Sequence, residues 1–241
     1  RENMQRAFAN IVIDENILNQ LGAAMNSRRA SFIYGPAGSG KTFIAEKLVR
    51  LLSGTIAVPH ALLVDNEVIQ IFDPLVHHPL AEVTPITSRL EKPFSLDQRW
   101  HLCRRPVVIT GGELTLSMLD LEFDDSVRFY QAPPHIKANN GIFIIDDLGR
   151  QMVSPQEIMN RWIVPMERRL DHLALHTGYK FPLPFDVTVV FSSNQAPSQL
   201  ADEAFLRRLG YKIRVDALSE DQYRTVFKQV CEQLNIEYAE S

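Results

Sequence analysis

The sequence is short of several things, and each shortage excludes something. Two cysteines, Cys103 and Cys231, stand far apart in 241 residues. That is too few for a disulfide framework and the wrong spacing for a zinc site. No apolar run approaches the roughly 18–20 residues of a membrane span. The longest, over residues 141–145 and 188–191, are strand-sized, so no membrane insertion is expected. Basic residues are not in excess: 25 Lys+Arg face 29 Asp+Glu, a net charge of −4. Such a balance offers no general attraction to a phosphate polymer and argues against nucleic acid as a partner. There is no secretory leader pattern, no internal repeat and no low-complexity tract. The first residue is Arg1, which reads as a piece of a longer chain. A hydrophobic share of 45% with 22% charged residues excludes wholesale disorder. Composition alone predicts a soluble, cytoplasmic, single-cored protein and is silent on chemistry.

What is present is an alternation of strands and helices. An amphipathic helix is expected over 14–26 with Asp14 as its N-cap, after a β-branched stretch at 11–13. Strands are expected over 30–34, 106–110, 141–145, 187–191 and 211–215. Helices are expected over 43–52, 95–104, 113–121, from Ser154 onward, over 200–209 and over 219–234. Ser154, Pro155 and Glu157 form a capping box with proline at the first helical position, and Pro165 is expected to kink or restart that helix. Residues 55–72 read as two short strands around Asp65-Asn66, 122–140 as a long polar connection, and 173–182 as a hairpin around Thr177-Gly178. His77-His78 lacks the companions of a metal site and reads as surface loop. Cys103, with no catalytic partner placed beside it, reads as structural. The alternation predicts a three-layer α/β domain with a mostly parallel sheet.

The chemistry is concentrated in three strand ends. Gly35, Pro36, Ala37, Gly38, Ser39, Gly40, Lys41 and Thr42 fit G-x-x-x-x-G-K-[ST] in full, with a strand before and an amphipathic helix, opening at Phe43, after. The glycines let successive N–H groups converge on phosphate oxygens, and the helix N-terminus adds its partial positive charge. Lys41 is expected on the β- and γ-phosphates and the Thr42 hydroxyl on Mg²⁺. Asp146 and Asp147 follow the apolar run at 141–145, where carboxylates emerge at the carboxyl edge of the sheet. Asp146 is assigned to the magnesium shell and Asp147 to the attacking water. Asn194 closes the next buried strand, and its amide offers both a donor and an acceptor to the water or the γ-phosphate.

These motifs, in this order, resemble the AAA+ ATPases. GPAGSGKT is similar to their Walker A, GIFIIDD to their Walker B and TVVFSSN to a strand ending in the sensor-1 asparagine. AFLRRL resembles the stretch that carries their arginine finger. The resemblance spans roughly residues 8–215 and implies an ATP-hydrolysing P-loop NTPase core over 1–215. A helical lid, begun over 216–241 and truncated there, would follow. It also implies a ring, usually hexameric, in which Arg207 or Arg208 reaches the nucleotide of the adjacent subunit, and a protein substrate remodelled in chaperone-like fashion. The segment before Walker B and the hairpin before the sensor strand resemble two insertions of the MoxR-like and helix-2-insert group. By that likeness Phe129, Tyr130, Lys137 and Tyr179 are candidates for gripping a macromolecule. Two departures stand out. Asp147 replaces the usual glutamate, which implies slow hydrolysis or an ATP-gated scaffold with little turnover, and the sensor-2 arginine is missing. A nucleic-acid motor is the remaining alternative.

Overall fold

The computed structural model describes residues 7–8, 11–80, 97–234 and 236. Helix α1 (Glu15–Ser27) starts at Asp14, whose carboxylate accepts from the Asn16 N–H at 2.7 Å, and stops where Arg28 turns left-handed. Strand β1 (Ser31–Tyr34) and helix α2 (Lys41–Leu48) follow, the latter tightening into a 3-10 turn (Val49–Leu51). A β-rich stretch comes next: β2 (Thr55–Pro59), β3 (Ala61–Val64), β4 (Glu67–Gln70) and β5 (Trp100–Arg104). After β6 (Val107–Thr110) come β7 (Glu122–Asp124), β8 (Phe129–Gln131), the one-turn helix α3 (Pro134–Lys137) and β9 (Ile142–Ile145). Helix α4 (Pro155–Arg168) runs into the hairpin of β10 (Leu170–Ala174) and β11 (Lys180–Pro184). Then come β12 (Thr188–Ser193), the short helices α5 (Pro197–Leu200) and α6 (Glu203–Leu206), β13 (Tyr211–Arg214) and α7 (Glu220–Gln233).

The main sheet has five strands in the order β13-β1-β12-β9-β6, and every neighbouring pair is parallel. A parallel sheet is stable only with both faces covered, and the strand sequences supply two apolar faces. Phe32, Phe143, Ile145, Val189 and Phe191 pack with Ile158, Met159 and Trp162 of α4 and Phe205 of α6. Their immediate neighbours Ile33, Ile142, Ile144 and Val190 turn the other way, onto Leu21 and Ala24 of α1 and Ile44 and Leu48 of α2. The result is the three-layer α/β fold expected from the alternation.

A second body of β-structure sits beside this core. Strands β3, β4, β8 and β7 make a four-stranded sheet in that order, and β2 pairs with β5. The β3–β4 hairpin turns through Asp65 and Asn66, both left-handed (φ 49° and 66°), which gives the strand twist a two-residue loop requires. A third apolar cluster joins this insertion to the β10–β11 hairpin, with Val58, Ile69, Cys103, Tyr130 and Ile136 against Leu173, Leu175 and Phe181.

Several expectations are corrected here. The segment read as a helix over 95–104 is strand β5 from Trp100 onward, because its Cys103–Ile56 and His101–Val58 pairings with β2 outweigh local preference; Ser95 lies outside the described residues. Residues 113–121 form only a 3-10 turn at Ser117–Leu119, after Glu113 Oε1 caps the Gly111 N–H at 2.8 Å. The connection at 122–140 is a β-hairpin plus a helical turn. The β-branched stretch at 11–13 makes no strand; Ile11 and Ile13 pack on the α1–α2 core instead. Helix α4 runs unbroken past Pro165, which sits one turn from its end. The helix expected over 200–209 is only the turn Glu203–Leu206, because α5 ends at Leu200 and Asp202 caps a new start by accepting from the Phe205 N–H at 2.8 Å. His77 is buried, not on the surface, and Cys103 is buried as expected of a structural thiol, which burial pushes up from its ordinary pKa.

Candidate functional site: the carboxyl edge of the main sheet

Because the five strands run the same way, their carboxyl ends meet along one edge, and the polar residues that follow β1, β9 and β12 meet there too. The loop after β1 is tightly seated. A Cβ on Gly35 would lie 1.9 Å from the Val215 carbonyl oxygen, so only glycine permits the loop to pass behind β13. Gly40 is the N-cap of α2 in a left-handed conformation (φ 84°), and no side chain caps the helix. The first N–H groups of α2 therefore point into the loop, the arrangement that receives a phosphate.

Lys41 is 5% exposed, and its ammonium donates to the Gly35 and Pro36 carbonyls at 3.0 and 2.8 Å. Burial pulls its pKa below the usual lysine value, opposed by the carboxylates of Asp147 and Asp146. Phe43 is half-exposed, with the Lys47 ammonium 4.6 Å from its ring centre. The Thr42 hydroxyl donates to Asp146 Oδ2 at 2.7 Å, bridging the loop to the strand two places away in the sheet. The other oxygen, Asp146 Oδ1, is buried with no hydrogen-bond partner. An orphaned carboxylate oxygen costs free energy that a cation would recover. Among the described residues no group of three or more His, Cys, Asp or Glu could hold a metal. Mg²⁺ needs no such cage: it takes one or two oxygen ligands from the protein and the rest from substrate phosphates and water. Thr42 and Asp146 fit that demand.

Asp147 is left-handed (φ 48°), uncommon for a residue with a side chain. The turn is held from several sides. The Leu148 N–H donates to the Ser192 carbonyl at 2.8 Å, and the Ser193 hydroxyl to the Leu148 carbonyl at 2.6 Å. Gln151 completes it: its carbonyl oxygen accepts from the Gly149 N–H at 2.9 Å, and its amide donates to the carbonyls of Gly111 and Asp146 at 3.1 and 3.2 Å. Sequence reasoning missed Gln151, since no spacing rule marks a residue whose role depends on the path of the turn. Asn194 is exposed at the end of β12, with its amide 3.5 Å from Asp147 Oδ1. As β12 lies between β1 and β9, Asn194 stands between the phosphate loop and the acids.

Lys41, Thr42, Asp146, Asp147 and Asn194 are thus brought together. Arg207 and Arg208 are not. They precede β13, where the Gly210 N–H donates to the Ala30 carbonyl at 2.9 Å just before β1, so they lie at the opposite, amino edge of the sheet. Arg207 forms an exposed i,i+4 pair with Glu203.

Of the residues considered for gripping a macromolecule, Tyr130 is 1% exposed and its hydroxyl bonds to the ring and N–H of His176, so it is part of the packing. Lys137 is paired with Asp73 at 2.8 Å. Tyr179 is half-exposed at the turn of the β10–β11 hairpin, and Phe129 is partly buried.

Fold and site together define a three-layer α/β protein with a phosphate-loop turn and paired acids at the carboxyl edge of a five-stranded parallel sheet. No protein-family model matches the chain, and no curated protein matches it. Among solved structures, two of NtrX from Brucella abortus share the fold. The first matches with a TM-score of 0.50 at 16% identity over 97% of this chain and 47% of that one. The second, solved in complex with ADP, matches with a TM-score of 0.52 at 16% identity over 97% and 45%. The chain therefore spans just under half the length of the solved chains it matches. Among the described residues no helix is long and apolar enough to cross a membrane.

Proposed function

We propose that the chain is the ATPase core of an AAA+ protein that binds and hydrolyses ATP with Mg²⁺ in the cytoplasm. In this reading it works as a ring, hexameric by family likeness, that remodels a protein partner. The observation that carries the proposal is the Thr42–Asp146 bridge with its orphaned carboxylate oxygen, set between a phosphate loop and the Asp147–Asn194 pair. That one of the NtrX structures sharing this fold was solved in complex with ADP supports a nucleotide ligand.

Each residue has a task. The loop N–H groups and the α2 N-terminus bind the phosphates, and Lys41 exchanges its two carbonyl partners for phosphate oxygens. Mg²⁺, when bound through Thr42 and Asp146, neutralises charge on the phosphates. Asp147 accepts a proton from the attacking water, and Asn194 fixes its direction. Arg207 or Arg208, at the far edge of the sheet, serves the nucleotide of an adjacent subunit. Such an arginine contributes roughly 10³–10⁵ in rate where it has been measured in phosphoryl transfer.

The trans arrangement has a direct test. K41A subunits lack a working phosphate loop but carry both arginines, and subunits with R207A and R208A have the reverse defect. Mixing the two inactive proteins is expected to restore part of the ATPase activity; no recovery at any ratio would contradict the ring reading. A second reading, an ATP-gated scaffold with little turnover, is favoured by Asp147, whose carboxylate is one methylene shorter than glutamate's. The lid reading of α7 and a role for Tyr179 in gripping the partner belong to the same proposal.

A further inference from the structure

Arg208 is already engaged within its own chain. Its Nε and Nη2 both donate to Glu167 Oε2, at 3.3 and 3.2 Å, and its Nη1 donates to the Ala204 carbonyl at 2.6 Å. Its side chain is 32% exposed, against 74% for Arg207. Glu167 lies in the last turn of α4, the helix that runs into the β10–β11 hairpin. Both residues border a concavity of about 340 Å³ whose other charged lining residues are Arg28, Arg29, Arg169 and Arg207. Among the described lining residues Glu167 is the only carboxylate.

The Nε–Nη2 edge of a guanidinium is one that a phosphate takes as readily as a carboxylate. While Glu167 holds that edge, Arg208 can offer it to nothing else. From this geometry we infer that Glu167 is a positioning residue that locks Arg208 until a nucleotide phosphate on an adjacent subunit displaces it. The inference rests on the reading of Arg208 as an arginine acting between subunits. The exchange swaps one anion for another. Glu167 is 58% exposed, so on release its carboxylate returns to water at little cost. Arg29 and Arg169 favour the incoming phosphate by charge, whereas Arg28 and Arg207 are already paired with Asp186 and Glu203. Glu167 therefore sets the protein concentration at which subunits engage each other, without blocking engagement.

The test is the dependence of ATPase activity on protein concentration for wild type, E167Q and R208A, with the assembly midpoint of R208A, with and without E167Q, followed by sedimentation. E167Q keeps the shape and removes the charge. Its midpoint is expected to fall about two- to fivefold at low salt, the range of an exposed ion pair, and the difference is expected to shrink as salt rises. In the R208A background the same substitution is expected to shift nothing, which a purely structural role for Glu167 would not produce. If R208A is inactive and E167Q leaves the midpoint unchanged or raises it, the lock is wrong while the arginine reading stands. If R208A matches wild type at every concentration, the arginine reading fails and the lock fails with it.

Discussion

Asp146 at the carboxyl edge of the main sheet, partly buried, and Asp171 at the foot of the β10–β11 hairpin, fully buried, are satisfied by the protein in opposite ways. Asp171 is 1% exposed and saturated. It accepts from Arg161 Nη1 and Nη2 at 2.6 and 2.9 Å, from His135 Nε2 at 2.7 Å and from the His172 N–H at 2.8 Å. Burial raises its pKa, but the bonds from His135 and Arg161 outweigh that and hold it at about 2. Asp146 takes one bond from Thr42 on one oxygen and leaves the other bare. The saturated carboxylate fastens α3, α4 and the hairpin together; the unsaturated one keeps an oxygen open, as the proposed Mg²⁺ role would use. The two acids differ by their partners as well as by their burial, Asp146 being only partly buried.

Substitutions sharpen that contrast, beginning with the largest effect. K41A is expected to lower ATP turnover by about 10²–10³, the loss seen when a preorganised electrostatic group is removed, with its thermal midpoint close to wild type. D171N is expected to lose about 1.5–3 kcal/mol of folding stability in urea titrations, because it weakens hydrogen bonds to a charged group and leaves the partly buried Arg161 only its long ion pair with Asp120 at 3.9 Å. D146N is expected to lose Mg²⁺-dependent turnover while keeping or gaining stability, since it removes an orphaned charge. Equal destabilisation by the two substitutions would break the comparison. D147E, which lengthens the acid toward Asn194, is expected to raise turnover about tenfold, given how steeply rate depends on placement. R207A is expected to change stability by less than about 0.5 kcal/mol, as exposed i,i+4 pairs do.

The bracket around Asp171 also predicts a pH response. Burial holds His135 below the ordinary histidine pKa, with the bonds to Asp171 opposing that shift. A depressed pKa means that the unfolded chain binds the proton first, so this contribution is complete above about pH 6.5 and declines as pH falls. Asp171, depressed from 3.8 to about 2, adds a second loss across that acid window. Urea midpoints measured from pH 8 to pH 2 are expected to fall in these two stages, and the lower stage is expected to vanish in D171N.

The two regions differ as much in how legible they were. Residues 35–42, the paired acids and Asn194 could be placed at one edge from spacing because each follows a buried strand of the same parallel sheet. The capping box at Ser154 and Glu157 was legible for the same local reason, and it forms as read. The insertion was not. Strand β5 depends on β2, its partner about 45 residues earlier, so a window centred on residues 95–104 contains only a weak helical pattern. Tyr130 looked like a free aromatic in a polar loop, but a hairpin distant in sequence buries it. Asp171, His135 and Arg161 carry no motif, because their function lies in contacts among three separate elements. The pairing of Glu167 with Arg208 was hidden for the same reason.

The central claim, that the Lys41–Thr42–Asp146 edge is a working ATP site, is most directly tested by phosphate release from ATP by wild type, K41A and D146N, each with Mg²⁺ and with chelator. Wild type is expected to release phosphate slowly and only with Mg²⁺, and both variants to release none. Release that is indifferent to Mg²⁺ and to both substitutions, or no release by wild type at any protein concentration, would contradict it.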